Sequence, residues 1–124
     1  MEHCEFLNEI LKIDSAVRFV GMYDEDYKKI TDGYQADVLA HLSREEMQSS
    51  VRYDMKRWET YKMFHNQLGD TQFAIVKYDK AILMTFSFNQ GEYLRVSVEP
   101  DADYGQIAEK IQSLLMKNPI IRDK

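Results

Sequence analysis

Acid–base or metal chemistry in this chain would have to come from its three histidines, its one cysteine and its carboxylates. Met1-Glu2-His3 offers a terminal amine, two backbone amides and an imidazole. Such a set can hold Cu²⁺ or Ni²⁺ in a square plane, with Cys4 adjacent. Any chain with histidine at its third position has this feature, so no metal role is expected from it. Asp24-Glu25-Asp26 could offer oxygen ligands to a hard cation. The spacing of a calcium-binding hand is missing, and a solvated turn is the expected role. His65 falls on an apolar helical face beside Tyr61 and Leu68, where one hydrogen bond would satisfy it as a packed side chain. His41 is expected at the surface. The chain has no glycine-rich phosphate loop, no glycine-flanked nucleophile and no two-histidine helix motif. We therefore expect no catalytic residue, no cofactor and no enzyme activity.

Binding is the other use for such residues. Arg52, Lys56, Arg57 and Lys62 make one helix locally basic. Asp54 and Glu59 stand at helical spacing to pair with them, so a solvated face is expected. Met22, Met47, Met55, Met63 and Met84 are core filler or an adaptable binding surface. Trp58 is the single tryptophan. It can serve as core or as an interface anchor, and spacing alone does not choose between them.

The elements that position these groups follow from periodicity. Phe6, Leu7, Ile10, Leu11 and Ile13 recur near helical spacing over about residues 3 to 13. Val17 to Tyr23 is rich in strand formers, the acidic cluster turns the chain, and Tyr27 to Thr31 returns as a second strand. Gly33 is expected to end that hairpin, and residues 34–42 cross irregularly to the next element. Ser43 and Glu46 fit a capping box. Met47, Val51, Met55, Trp58, Tyr61, His65 and Leu68 then form one face of a single helix that runs to Gly69. About 25 residues at ~1.5 Å each make it near 38 Å long. Tyr53, Arg57, Thr60 and Phe64 form a second, mixed face.

Thr71 to Tyr78, Ala81 to Phe88 and Glu92 to Val98 read as a three-strand meander with hairpin-length connections. Ile82, Met84, Phe86 and Phe88 point one way, and Ala81, Leu83, Thr85 and Ser87 the other. Leu94, Val96 and Val98 likewise oppose Tyr93, Arg95 and Ser97. Pro100 closes the last strand, and a helix capped by Asp103 spans about Tyr104 to Met116.

The expected fold class is α/β of the α+β type, in the order α-β-β-α-β-β-β-α. A five-stranded, mostly antiparallel sheet would carry the long helix on one face and the terminal helices on the other. One domain over residues 1–124 is expected, since no linker or repeat divides the chain.

Composition narrows the partners. The chain has 44% hydrophobic and 30% charged residues and a net charge of -5. The acidic balance argues against nucleic-acid backbone binding. One cysteine permits no internal disulfide, and no apolar run approaches a membrane span or a leader. The expected location is the cytoplasm, with no membrane insertion.

This order resembles the roadblock/dynein light chain domain over nearly the whole chain. Val17 to Tyr23 followed by Asp24 looks like that family's first strand and its acidic turn. Leu68-Gly69 followed by Phe73 to Lys80 looks like the helix-to-strand passage of uncharacterised archaeal roadblock-like proteins, and Tyr78-Asp79-Lys80 is similar to their tyrosine-acid-lysine turn. Phe86 to Val98 and Asp101 to Ile107 continue in register. The same order also fits longin, profilin-like and PAS-like domains. The roadblock resemblance implies a homodimer in which Thr71 to Tyr78 pairs across a two-fold axis and the long helices pack together. It also implies a scaffold or regulator of small GTPases.

An edge strand offers unpaired backbone groups, and Phe73 to Val76 carries no proline and no charge to discourage pairing. The expected dimer interface is Val51, Met55, Trp58, Gln72, Ala74 and Val76. The competing function is PAS-like ligand sensing, with Phe19, Tyr23, Phe86, Phe88 and Tyr93 around a cavity of several hundred Å³.

Overall fold

The computed structural model describes residues 2–35, 42–89 and 91–117. The elements are α1 (His3–Leu11), β1 (Val17–Tyr23), β2 (Lys29–Tyr34), α2 (Arg44–Lys62), α3 (His65–Leu68), β3 (Phe73–Lys77), β4 (Ile82–Phe88), β5 (Glu92–Val98) and α4 (Tyr104–Lys117). The strands form one five-stranded sheet in the order β2-β1-β5-β4-β3, and every neighbouring pair is antiparallel. The α+β class therefore stands, with β3 at one edge and β2 at the other.

Alternation along the strands sorts side chains into two cores. Ile82, Met84, Phe86 and Phe88 join Leu94, Val96 and Val98 under α1 and α4, with Phe6, Leu7, Ile10, Ile107 and Ile111 above them. A register shift between Val17 and Phe19 lets both Val17 and Val20 reach this face. The other face is thinner. There Val51, Met55 and Trp58 of α2 pack on Tyr23 and Tyr93, with Ala74 and Tyr27 alongside. Gly21 lies on this face between Phe19 and Tyr23, where a Cβ would come within 2.6 Å of the Tyr23 hydroxyl. Glycine there lets the tyrosine lie flat along its own strand.

Local chemistry sets the boundaries. Asp24 folds the acidic turn on itself, its Oδ1 accepting the backbone N–H of Asp26 and of Lys28. Ser43 and Glu46 close the capping box of α2 in both directions. Asp103 Oδ1 accepts the Gln106 N–H at the start of α4.

Three expectations change. The long helix does not run unbroken to Gly69. It stops at Lys62, and a separate turn, α3, follows. The last buried residue of α2 is Trp58, and every residue from Glu59 to Asp70 is exposed. Helices draw their stability from packing of one face, and past Trp58 that support ends. His65 is accordingly not a packed side chain. It is exposed, with its Nδ1 3.3 Å from Asp70. Gly33 does not end the hairpin but lies inside β2, opposite Val20. His41 lies outside the described residues.

Candidate functional site

The chemistry on the α2 face begins with two opposite charges inside the apolar layer. Asp54 stands on α2 between Val51, Met55 and Trp58, and Arg95 stands on β5 between Tyr93 and Ser97. Both are buried. Arg95 Nε donates to Asp54 Oδ2 at 2.8 Å, and its NH2 group donates to Ser50 Oγ at 2.6 Å. Arg57 Nη2 reaches the other oxygen of Asp54 from the exposed side of the helix. One carboxylate thus joins helix to sheet and carries a second guanidinium at the surface. Strand parity makes this possible, since Arg95 faces α2 while Leu94 and Val96 face α1 and α4.

Tyr23 lies against this network. Burial pushes its hydroxyl pKa up to about 12, and the Arg95 charge only partly opposes that rise. The unfolded chain ionises near 10, so above that pH the unfolded state loses a proton that the fold retains. Stability is therefore fully present below pH ~10 and falls by up to ~1.4 kcal/mol per pH unit until ~12. Tyr23→Phe is expected to flatten that decline. Urea unfolding of both proteins between pH 9 and 11.5 measures it, and parallel curves would contradict it.

Past the N-terminal half of α2 the described residues cover the sheet incompletely. A groove of about 910 Å³ opens there. Phe19, Ala81, Leu83 and Arg95 form its floor, and Tyr34, Tyr53 and Tyr78 stand at its rim. Its volume is that of a ligand pocket. Of the aromatics expected around a PAS-like cavity, however, Phe19 alone lines it. Phe86 and Phe88 lie on the opposite face, and Tyr23 and Tyr93 pack on Trp58 and its neighbours.

The open edge lies beside this groove. Ala74 and Val76 point to the α2 face and approach Trp58, Tyr61 and Arg57, while Phe73 and Ile75 pack toward the other core. Gln72 precedes the strand and is exposed. Val51, Met55 and Trp58, expected at the dimer interface, are placed differently. They are 2%, 0% and 2% exposed within a single chain. Their side chains pack against the sheet of their own chain. The large apolar groups of α2 that do face outward are Tyr53 and Tyr61.

Other candidates for chemistry separate. His3 is fully buried at the start of α1, its Nε2 3.2 Å from Glu92 Oε1 and its ring 5.9 Å from Phe88. An imidazole turned into the core is not presented to a solvent metal ion. Among the described residues no three His, Cys, Asp or Glu side chains gather as a metal site. No described helix is long and apolar enough to cross a membrane. Lys62 and Glu59 pair as expected from their spacing.

The buried Asp54–Arg95 ion pair and the His3–Glu92 contact are not apparent from the sequence. The available signal was a lone Arg95 in the middle of a strand and a lone Asp54 within an apolar helical face.

No family model and no curated protein matches the chain. Solved structures do. A roadblock/LC7 domain from Streptomyces avermitilis superposes with a TM-score of 0.71 at 11% identity, over 94% of this chain and 93% of that one. The gliding protein MglB from Thermus thermophilus gives 0.67 at 12% identity, over 93% and 89%. An MglB described as having a tetrameric arrangement gives 0.67 at 13% identity, over 92% and 88%. The chain has the roadblock/LC7 fold.

Proposed function

We propose that this chain is a homodimeric protein–protein interaction module that pairs through β3 and scaffolds or regulates a protein partner. A small GTPase is the partner class that the roadblock resemblance implies. The observation that carries the reading is the edge position of β3. The opposite edge, β2, carries Lys29 and Asp32, which pair with each other. β3 has Lys77 alone as charge, and Val76 beside it is exposed. Charge and proline are what keep edge strands from pairing, and β3 has little of either. A fold shared with an MglB of tetrameric arrangement supports assembly of such chains. The groove by itself favours ligand sensing by its volume, but its open side and mixed lining suit a protein surface better.

Light scattering at micromolar concentration is expected to report twice the mass of one chain. Successive N–H groups along a strand face opposite neighbours. Of Ala74 and Ile75, one therefore donates toward β4 and the other toward the open edge. Proline at each in turn should yield one variant that keeps the native circular dichroism spectrum and loses the dimer. A monomeric natural chain, or a dimer untouched by both prolines, would remove this reading. Titration with a small GTPase in its GDP and GTP-analogue forms tests the partner class, and equal or absent binding counts against regulation.

A further inference from the structure

Among the described methionines, Met47 alone combines access with a charged partner. Met22, Met55 and Met84 are fully buried, while Met63 and Met116 stand out in solvent at 74% and 79% exposure. Met47 is half-buried in the first turn of α2 and lines the groove. Its sulfur accepts a hydrogen bond from Arg95 Nη1 at 3.5 Å. The other acceptors around Arg95 are oxygens, those of Asp54, Ser50 and the Tyr23 hydroxyl. A thioether accepts hydrogen bonds weakly, so Met47 is the poorest acceptor offered to a buried guanidinium.

One added oxygen atom would change that. We propose that Met47 is a redox-responsive site, where oxidation by a peroxide gives a sulfoxide whose oxygen takes the Arg95 hydrogen bond and fastens the start of α2 to β5. In the step, a sulfur lone pair attacks one oxygen of hydrogen peroxide and the O–O bond breaks. The proton on the attacked oxygen passes to the departing one, which leaves as water. Sulfur is oxidised by two electrons and the peroxide is reduced by two. Sulfoxide reductases reverse the change, so the site can switch.

Sulfoxidation ordinarily disrupts a packed methionine, because it sets a polar group among apolar ones. The surroundings of Met47 reverse that expectation. Its sulfur faces a positive charge on one side, and its side chain borders the groove on the other. The lone pair that Arg95 does not engage takes the oxygen. Rotation about the flexible, unbranched side chain then turns that oxygen to Nη1. A strong acceptor replaces a weak one at a cation that water reaches poorly. This rests on the packing of α2 on its own sheet and not on the homodimer reading.

The test uses the full chain with Cys4→Ser, Met63→Leu and Met116→Leu, which removes the exposed sulfurs of the described residues. Hydrogen peroxide is the oxidant, peptide masses report oxidation at residue 47, and urea unfolding reports stability. The oxidised protein is expected to unfold at a urea midpoint about 0.3–1 M above that of the reduced protein. Met47→Leu in the same background is expected to show no rise with peroxide. Met47→Gln supplies an acceptor oxygen without oxidation and is expected to unfold at higher urea than Met47→Leu. That gain is expected to vanish once Asp54→Leu with Arg95→Met removes the buried pair, whereas a difference in helix propensity would survive it. A residue 47 that stays reduced under peroxide overturns the inference. So does a midpoint that is unchanged or lower after oxidation, or a glutamine gain that persists without Arg95.

Discussion

Replacing Asp54 with alanine is expected to lower the stability of the fold by about 3–5 kcal/mol, because it strands a buried guanidinium. Arg95 is 4% exposed, and its partners are Asp54, Ser50, the Met47 sulfur and the Tyr23 hydroxyl. Without the carboxylate, a full positive charge stays under α2 with neutral groups alone to solvate it. Domains of this size hold about 5–15 kcal/mol in total, so this loss is a large share. Arg57→Ala removes an exposed partner of the same carboxylate and is expected to cost less than about 1 kcal/mol. The contrast separates the buried contact from the surface one. The double variant Asp54→Leu with Arg95→Met removes both charges and is expected to recover most of the loss. Urea unfolding of the natural chain and the three variants compares these costs directly. A cost for Asp54→Ala no larger than that for Arg57→Ala would show that water reaches Arg95.

That pair also marks where sequence reasoning ran short. Period-two patterns in β4 and β5 were legible because both strands are central and face a core on each side. Glu92–Val98 emerged with its true ends, and the N-caps at Ser43 and Asp103 followed from side-chain chemistry alone. The edge position of β3 was legible too, as the first strand of a meander. What the pattern did not contain was tertiary. Spacing put Val51, Met55 and Trp58 on one face of α2 but could not say whether sheet or second copy lay against it. Nor did it say where the sheet ended beneath α2, and so where the helix would break. Arg95 and Asp54 were hidden because a charged residue reads as exposed unless its partner is known. They lie 41 positions apart in the chain. His3 and Glu92 were hidden for the same reason, at a separation of 89.

Trp58→Ala is expected to cost about 3–5 kcal/mol of folding stability, and to cost it in the monomer. The indole is 2% exposed and packs edge-on to Tyr93 at 6.1 Å and to Tyr61 at 6.3 Å. It fills the space between α2 and the sheet where Val51, Met55 and Tyr23 leave room, and alanine would leave a cavity there. An interface anchor would behave otherwise, losing dimer mass with little change in monomer stability. Introducing Trp58→Ala into the monomeric proline variant separates the two, since no interface remains to be lost. The natural chain offers an independent reading, because Trp58 is its single tryptophan. Its emission is expected to be that of a buried indole and to stay fixed as dilution dissociates the proposed dimer, shifting to the red only on unfolding. A red shift on dilution at constant circular dichroism would place Trp58 at the seam, and the packing of α2 on its own sheet would then have to be abandoned.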